Sequence, residues 1–322
     1  MKLHCLRLRP CSPWRTPWQA DTLTGVLCVT AARIHGPDFL RDNLIEPMLA
    51  GSPPFILSDA FPGNLLPLPV AARLADVPAD RVKSLKRARW IGHTDFLSLI
   101  AGAKQSIPWD RLLPDSAVFR CDTRRHNTLA RDSDASLEEG GLFSRPDTRL
   151  RSSNSADHLT LYFRAADEQA TDLFLDLLHE LALTGFGADI ATGRGQFDVL
   201  GDPEPMPNLD APPPGANALI CLSTFQPAPA DPVDGLWEVF PKFGKLGPDL
   251  GLADIRKKTL IMFRPGACFC ANPTRPFVGR ALPMDLILSE ASAADLRERG
   301  IKIIHPAFGL TVPATLDWES FP

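Results

Sequence analysis

Four glycines crowd into "TGFGADIATGRGQFDV" (184–199), at Gly185, Gly187, Gly193 and Gly195. A backbone without Cβ atoms can come close to another group, and the chemistry most often served this way is phosphate binding. A Walker loop needs GxxxxGK[ST] between a strand and a helix, and this stretch has no lysine. A dinucleotide fingerprint runs strand, glycines, helix, so that the helix N-terminus meets the pyrophosphate. Here a helical pattern precedes the glycines and a strand pattern follows them, so the positive end of the helix dipole points away. Two readings stay open. One is a helix cap at Gly185 and a tight turn at Gly193–Gly195. The other is a glycine-lined surface for an RNA backbone, with Thr192 and Arg194 as donors.

Other groups able to do chemistry are scattered. The seven histidines (4, 35, 93, 126, 158, 179, 305) show no HExxH or other paired ligand spacing. The seven cysteines include no CxxC pair, which fits a reduced cytoplasmic protein with packed thiols and gives zinc no framework. Ser58-Asp59 makes no nucleophile elbow with any histidine. Charge is more informative. Net charge is −4, yet Arg194 to Lys242 encloses seven acids and no basic residue. The rest is slightly basic and clustered: "RVKSLKRAR" (81–89) carries five positive charges in nine residues, including Lys83 and Arg87. Arg124-Arg125 and Arg256-Lys257-Lys258 add tighter groups. The basic runs suit a solvated face or a polyanion-binding one, and the acidic segment could dock a partner.

The positions of these groups depend on an alternating pattern of elements. At 322 residues, 44% of them apolar, the chain is long enough for two domains with their own cores. No apolar run spans a membrane, and "MKLHCLRLRP" lacks a signal-peptide core. Residues 2–9 alternate as a strand, and a Pro-punctuated loop, "CSPWRTPWQ", follows. The next stretch, "ADTLTGVLCVTAARIHG", reads as a helix closed at Gly36-Pro37. Strand-like 157–165 leads into a helix with Leu173, Leu177, Leu178 and Leu181 at helical spacing, and 196–200 is another strand. This is βαββαβ, the ferredoxin-like order, with a large insertion. Residues 201–216, with six prolines, read as a linker. Beyond it, 217–225, 258–269 and 301–316 are strand-like, the last as a closing pair, and "SAADLRERG" is helical. The expected fold class is α+β, two ferredoxin-like (RRM-like, βαββαβ) domains in tandem, at 1–200 and 217–322.

A glycine-rich loop between the last helix and last strand of a ferredoxin-like domain resembles the RAMP superfamily of CRISPR RNA-binding proteins. Four further stretches narrow the resemblance. "TPWQADTLTGVLC" (16–28) is similar to that family's opening loop and first helix. "GSPPFILSDAFPGNLLPLP" (51–69) resembles the SDAFP segment of the fourth subunit of type III-A (Csm) effector complexes. "RRHNTLARDSDASLEEGGLFS" (124–144) resembles its hairpin motif, and "KKTLIMFRPGACF" and "HPAFGLTVP" its C-terminal strands.

The resemblance implies a non-catalytic subunit that binds the 5′ handle of the crRNA, without cofactor. It would sit between the large polymerase/cyclase-like subunit and a backbone RAMP subunit. Gln19, Asp21 and Thr22 would then face phosphate at a helix start, and Ser58, Asp59, Phe61 and Pro62 would line the handle's path. Arg124, Arg125, His126, Asn127, Thr128 and Arg131 would lie on a hairpin of about 120–150, with Leu129 as a wedge and Phe143 either stacking a base or closing the hairpin core. Gly185, Gly187, Thr192, Gly193, Arg194 and Gly195 would form a backbone cradle within 184–195. Ala130 replaces an aspartate of the family pattern beside Arg131. Ala188-Asp189 replaces Gly-Lys, which implies that Asp189 points away or meets a protein and that Arg194 supplies the missing charge. The alternative is a crRNA-maturing endoribonuclease of the same superfamily using His35 or His126, although about 127 residues follow Gly195 here.

Overall fold

The computed structural model describes residues 1–73, 82–102, 109–129, 132–133, 135, 141–151, 157–247, 250–252 and 255–320. Strand β1 (Leu3–Pro10), helix α1 (Ala20–His35) and strand β2 (Phe55–Pro62) open the chain. An insertion follows, with β3 (Leu65–Pro67), β4 (Ala88–Gly92) and β5 (Leu113–Pro114) in one small sheet, then the hairpin β6 (Phe119–Asn127) and β7 (Leu142–Leu150). Strand β8 (Leu159–Ala165), helix α2 (Glu168–Thr184) and strand β9 (Phe197–Pro205) complete an antiparallel sheet of order β2-β8-β1-β9. That is the neighbour order of a βαββαβ unit, its two halves interrupted by the insertion.

The C-terminal half is built differently. Strands β10 (Ala218–Cys221), β11 (Gly235–Leu236), β12 (Val239–Lys242), β13 (Leu260–Phe263), β14 (Cys268–Cys270), β15 (Phe277–Pro283) and β16 (Ile304–Ala314) form a sheet β11-β14-β10-β16-β15 and a separate ribbon β12-β13. Among the described residues its one helix longer than a single turn is α3 (Glu290–Glu298). The expected closing strand pair is one eleven-residue strand, β16. Its residues 304–310 pair with β15 and 311–314 with β10. Pro306 and Pro313 are tolerated because each lies where only one neighbouring strand is paired. Residues 201–205, expected to begin a linker, continue β9, where Pro205 opposes His4. α1 is likewise followed by further helical turns, from Pro37 to Leu49.

One hydrophobic core runs through both halves, joining Leu6, Leu161, Phe163, Phe174 and Leu27 to Ile220, Leu310 and Val312. The SDAFP stretch is its seam. Every residue of β2 is buried. Asp59 accepts hydrogen bonds from the α1 amide of Ala20 at 2.9 Å and from the amide and hydroxyl of Thr224, both at 2.7 Å. It thereby caps α1 from outside the helix and ties it to the C-terminal half. Ser58 Oγ accepts from the Tyr162 amide, Ser223 Oγ donates to the Leu57 carbonyl, and the Asp59 amide donates to Leu222 O. A register break between Leu57 and Ala60 frees these groups from the β-ladder.

Asp59→Ala leaves three buried donors unsatisfied and is expected to cost about 2–4 kcal/mol in denaturant unfolding. Burial pushes the Asp59 carboxyl up from 3.8 to about 6, so its contribution is largest when protonated and falls as pH rises from 3.8 through about 6. The unfolding free energy of Asp59→Asn, measured over that range, should lack this decline.

Candidate nucleic-acid interface

The Pro-punctuated loop 11–19 acts as a mould on which the glycine loop and the hairpin both lie. Pro13 O accepts from the Gly195 amide at 2.8 Å. Trp14 exchanges two backbone hydrogen bonds with Thr148 of β7. Thr16 Oγ1 accepts from the Ala188 amide at 2.9 Å, and Trp18 packs on Phe186 with ring centroids 4.4 Å apart. The Trp18 carbonyl in turn accepts from the Ala60 amide, linking the mould to the SDAFP seam.

The glycines shape this loop. Helix α2 ends at Gly185 (φ +90°), whose amide returns to Leu181 O. Gly185 and Gly195 meet at the neck, where Phe186 N donates to Gly195 O and a Cβ on Gly195 would fall on the Phe186 carbonyl oxygen. A Cβ on Gly187 would lie 2.5 Å from Thr16 Cβ, and Gly193 closes a 3₁₀ turn over Ile190–Thr192 with open space around it. The amides of Gly185, Phe186, Ala188, Thr192, Gly193, Arg194 and Gly195 are all hydrogen-bonded inside the chain. Of the expected cradle, the amides of Gly185, Thr192, Gly193 and Gly195 are therefore taken up within the chain. The glycines provide a tight neck, with charged side chains around it.

Those side chains come chiefly from the hairpin. Two-residue alternation places Arg124 and His126 of β6 and Phe143, Arg145 and Asp147 of β7 on one face, with Arg124 directly opposite Arg145. Like charges in cross-strand register repel, and two carboxylates offset this. Asp147, 1% exposed, accepts from Arg15 Nε at 2.6 Å and Arg194 Nη2 at 3.1 Å and pairs with Arg124 at 3.2 Å. Asp189 accepts from Arg145 at 2.8 Å and from Arg15. Burial raises the Asp147 carboxyl, but hydrogen bonds from Arg15 and Arg194 outweigh it and leave the pKa below its ordinary value. The hydrogen bond from Arg145 lowers that of Asp189, helped by Arg15 and opposed by burial. Arg124 and Arg145 keep about half of their side-chain surface exposed (55% and 47%). Four guanidinium groups against two carboxylates leave this node with an excess of positive charge.

His126 lies flat against Phe143 (5.3 Å, 12°), its Nε2 accepting from Arg15 at 3.1 Å, while Arg145 covers Phe143 at 5.0 Å. Phe143 thus closes the hairpin and remains 36% exposed, beside Leu142 (76%) and Leu129 (53%). Arg125 is exposed on the opposite face, and the Thr128 amide donates to Gly141 O across the hairpin from Asn127. Arg131 lies outside the described residues. Lys83 and Arg87 are exposed on a short helix, Val82–Arg87.

Two expected groups are turned inward. Ser58, Asp59, Phe61 and Pro62 are buried in the seam, so they line no open path. At the start of α1 the Lys242 ammonium donates to Gln19 Oε1, Asp21 Oδ1 and Thr22 Oγ1 at 2.7–2.8 Å. Asp21 is buried and also lies 3.0 Å from His305 Nε2, so this helix start faces the C-terminal half instead of phosphate. Of the two histidines considered as a general acid or base, His35 packs at a tilt against Phe39 at the C-terminal end of α1 (4.5 Å, 38°). In the acidic segment, Asp198, Glu204, Asp210, Asp231 and Glu238 pair with Arg9, Arg7, Arg164, Arg275 and Arg73 of the same chain. Sequence reasoning missed Arg15, Arg145 and Asp147. The alternation of "FSRPDTR" against "CDTRRHN" across a hairpin was the signal that could have found them.

The architecture is α+β, with several antiparallel sheets beside the helices. The same fold, over nearly the whole chain, occurs in solved structures of type III-A CRISPR–Cas components. The chain is similar to one in the crystal structure of the Csm1–Csm4 cassette in complex with pppApA, at 18% identity and TM-score 0.60, with 98% of each chain covered. It is also similar to one in the Csm3–Csm4 subcomplex of the type III-A interference complex, at 11% identity and TM-score 0.63, with 97% of this chain and 100% of that one covered. The component common to both is Csm4, which this chain resembles from end to end. No family model matches the sequence, and no curated protein matches it.

The neck geometry separates the glycines. Gly193→Ala meets only the strain of φ +76° and should cost about 1 kcal/mol. Gly195→Ala must displace backbone at φ +69° and should cost about 3 kcal/mol or more, as read from thermal or denaturant unfolding.

Proposed function

We propose that this chain is a non-catalytic RNA-binding subunit of a type III CRISPR interference complex, a counterpart of Csm4 that holds the 5′ handle of the crRNA and supports antiviral defence. The observation that carries this reading is the positive node of Arg15, Arg124, Arg145 and Arg194, set between a glycine-necked loop and a protruding hairpin. Phosphate contacts from exposed guanidinium groups would fix the backbone. Leu129, Leu142 and the edge of Phe143 would meet bases splayed from a single strand. Its partners would be a large polymerase/cyclase-like subunit and a backbone subunit, in the cytoplasm, matching the company that Csm4 keeps in the solved assemblies. In this reading the C-terminal half is a degenerate second ferredoxin-like unit that has lost its first helix. On this non-catalytic reading repeat RNA should stay intact on incubation with the purified chain.

The full chain with its partner subunits should bind RNA carrying the repeat-derived 5′ handle more tightly than the same RNA without it, in a titration over a salt series. Arg124→Ala or Arg145→Ala should each weaken binding by about 5- to 10-fold and reduce the salt slope by about one. Equal affinity for the two RNAs would remove handle recognition from the reading.

A further inference from the structure

Asp189 looks out of place on a phosphate-binding surface, because an acid there repels the ligand. Its geometry argues for a different role. It is the one non-glycine residue at positive φ (+62°) among the described residues, so the loop holds it in a conformation that asparagine and aspartate tolerate best. From there its carboxylate reaches Arg15 of the mould and Arg145 of the hairpin, while its carbonyl accepts from the amides of Thr192 and Arg194. The hairpin's only backbone hydrogen bonds to the mould, among the described residues, are the two at Trp14–Thr148. Its other ties run through side chains: Trp14 packs edge-on against Phe119 at the hairpin's base (6.2 Å), and Arg15 and Arg194 reach Asp147. The carboxylates of Asp189 and Asp147 are what join its arginines to the two loops.

We propose that Asp189 is a positioning residue of the RNA-binding face. It holds Arg15 and Arg145 so that hairpin and glycine loop present one fixed array of guanidinium groups. This rests on the RNA-binding reading above for its purpose, but not for its physical content. A fixed array pays less ordering entropy when it grips a particular backbone path, so the acid improves recognition while lowering the total charge. Plain electrostatics makes the opposite forecast: deleting the acid should tighten binding to any RNA.

Asp189→Asn keeps the backbone preference and removes only the charge, which separates the two. In the full chain, hydrogen exchange along β6 and β7 should accelerate while β1 and β8 stay protected. Affinity for handle RNA should fall about tenfold, with affinity for a scrambled RNA of equal length unchanged or higher and a salt slope at least as steep as wild type. Arg145→Gln, which removes the other end of the same contact, should reproduce the faster exchange in the hairpin. Tighter binding of both RNAs, or unchanged exchange in the hairpin with either variant, would overturn the positioning role. A wild-type chain that does not distinguish handle from scrambled RNA would instead count against the binding reading, and the exchange measurement would still decide the role of Asp189.

Discussion

The buried carboxylate of Asp59 is the constraint on which the rest of this structure depends. It caps α1 and grips Thr224, and the neighbouring Ala60 amide holds the Trp18 carbonyl. The end of loop 11–19 is thereby fixed against the core. Once that loop is fixed, its residues set the positions of everything on the candidate interface: Pro13 and Thr16 the glycine loop, Trp14 the hairpin, Arg15 the two carboxylates between them. Such a dependence explains why a stretch that looks like a ligand-facing motif in sequence is wholly buried. Its polar atoms serve backbone groups of both halves, which water could not reach.

The surface that results is a balance of charges within the chain. Net charge is −4, yet five acids of the segment between Arg194 and Lys242 are matched by arginines elsewhere in the chain. The two exposed pairs among them, Arg7–Glu204 and Arg9–Asp198, contribute little to stability. The effect of all five is to spend the negative charge locally, away from the hairpin node, where arginines outnumber carboxylates two to one. A chain acidic in total can therefore still present a basic face.

Much of the N-terminal half was legible in the sequence, because its signals are local. Strand alternation, leucines at helical spacing and Gly185 as a stop place β1, β8 and α2 directly. The order of elements around the glycine loop, helix α2 before it and strand β9 after it, was equally legible. What could not be read were contacts between distant segments. Nothing near Gln19 or Thr22 announces that Lys242 will occupy their oxygens, more than two hundred residues away. Burial of Ser58 and Phe61 likewise depends on β16 and residues 222–224 packing across β2. Asp189 read as a departure from a family pattern because its partners, Arg15 and Arg145, come from two other segments.

The central claim is that one composite face, built from the mould, the hairpin and the glycine loop, holds RNA. It is tested most directly by photocrosslinking a handle RNA carrying 4-thiouridine to the full chain and mapping the adducts by mass spectrometry. The account expects adducts within residues 11–19, 119–150 and 186–195. Adducts confined to the C-terminal half, around the β12–β13 ribbon, would contradict it.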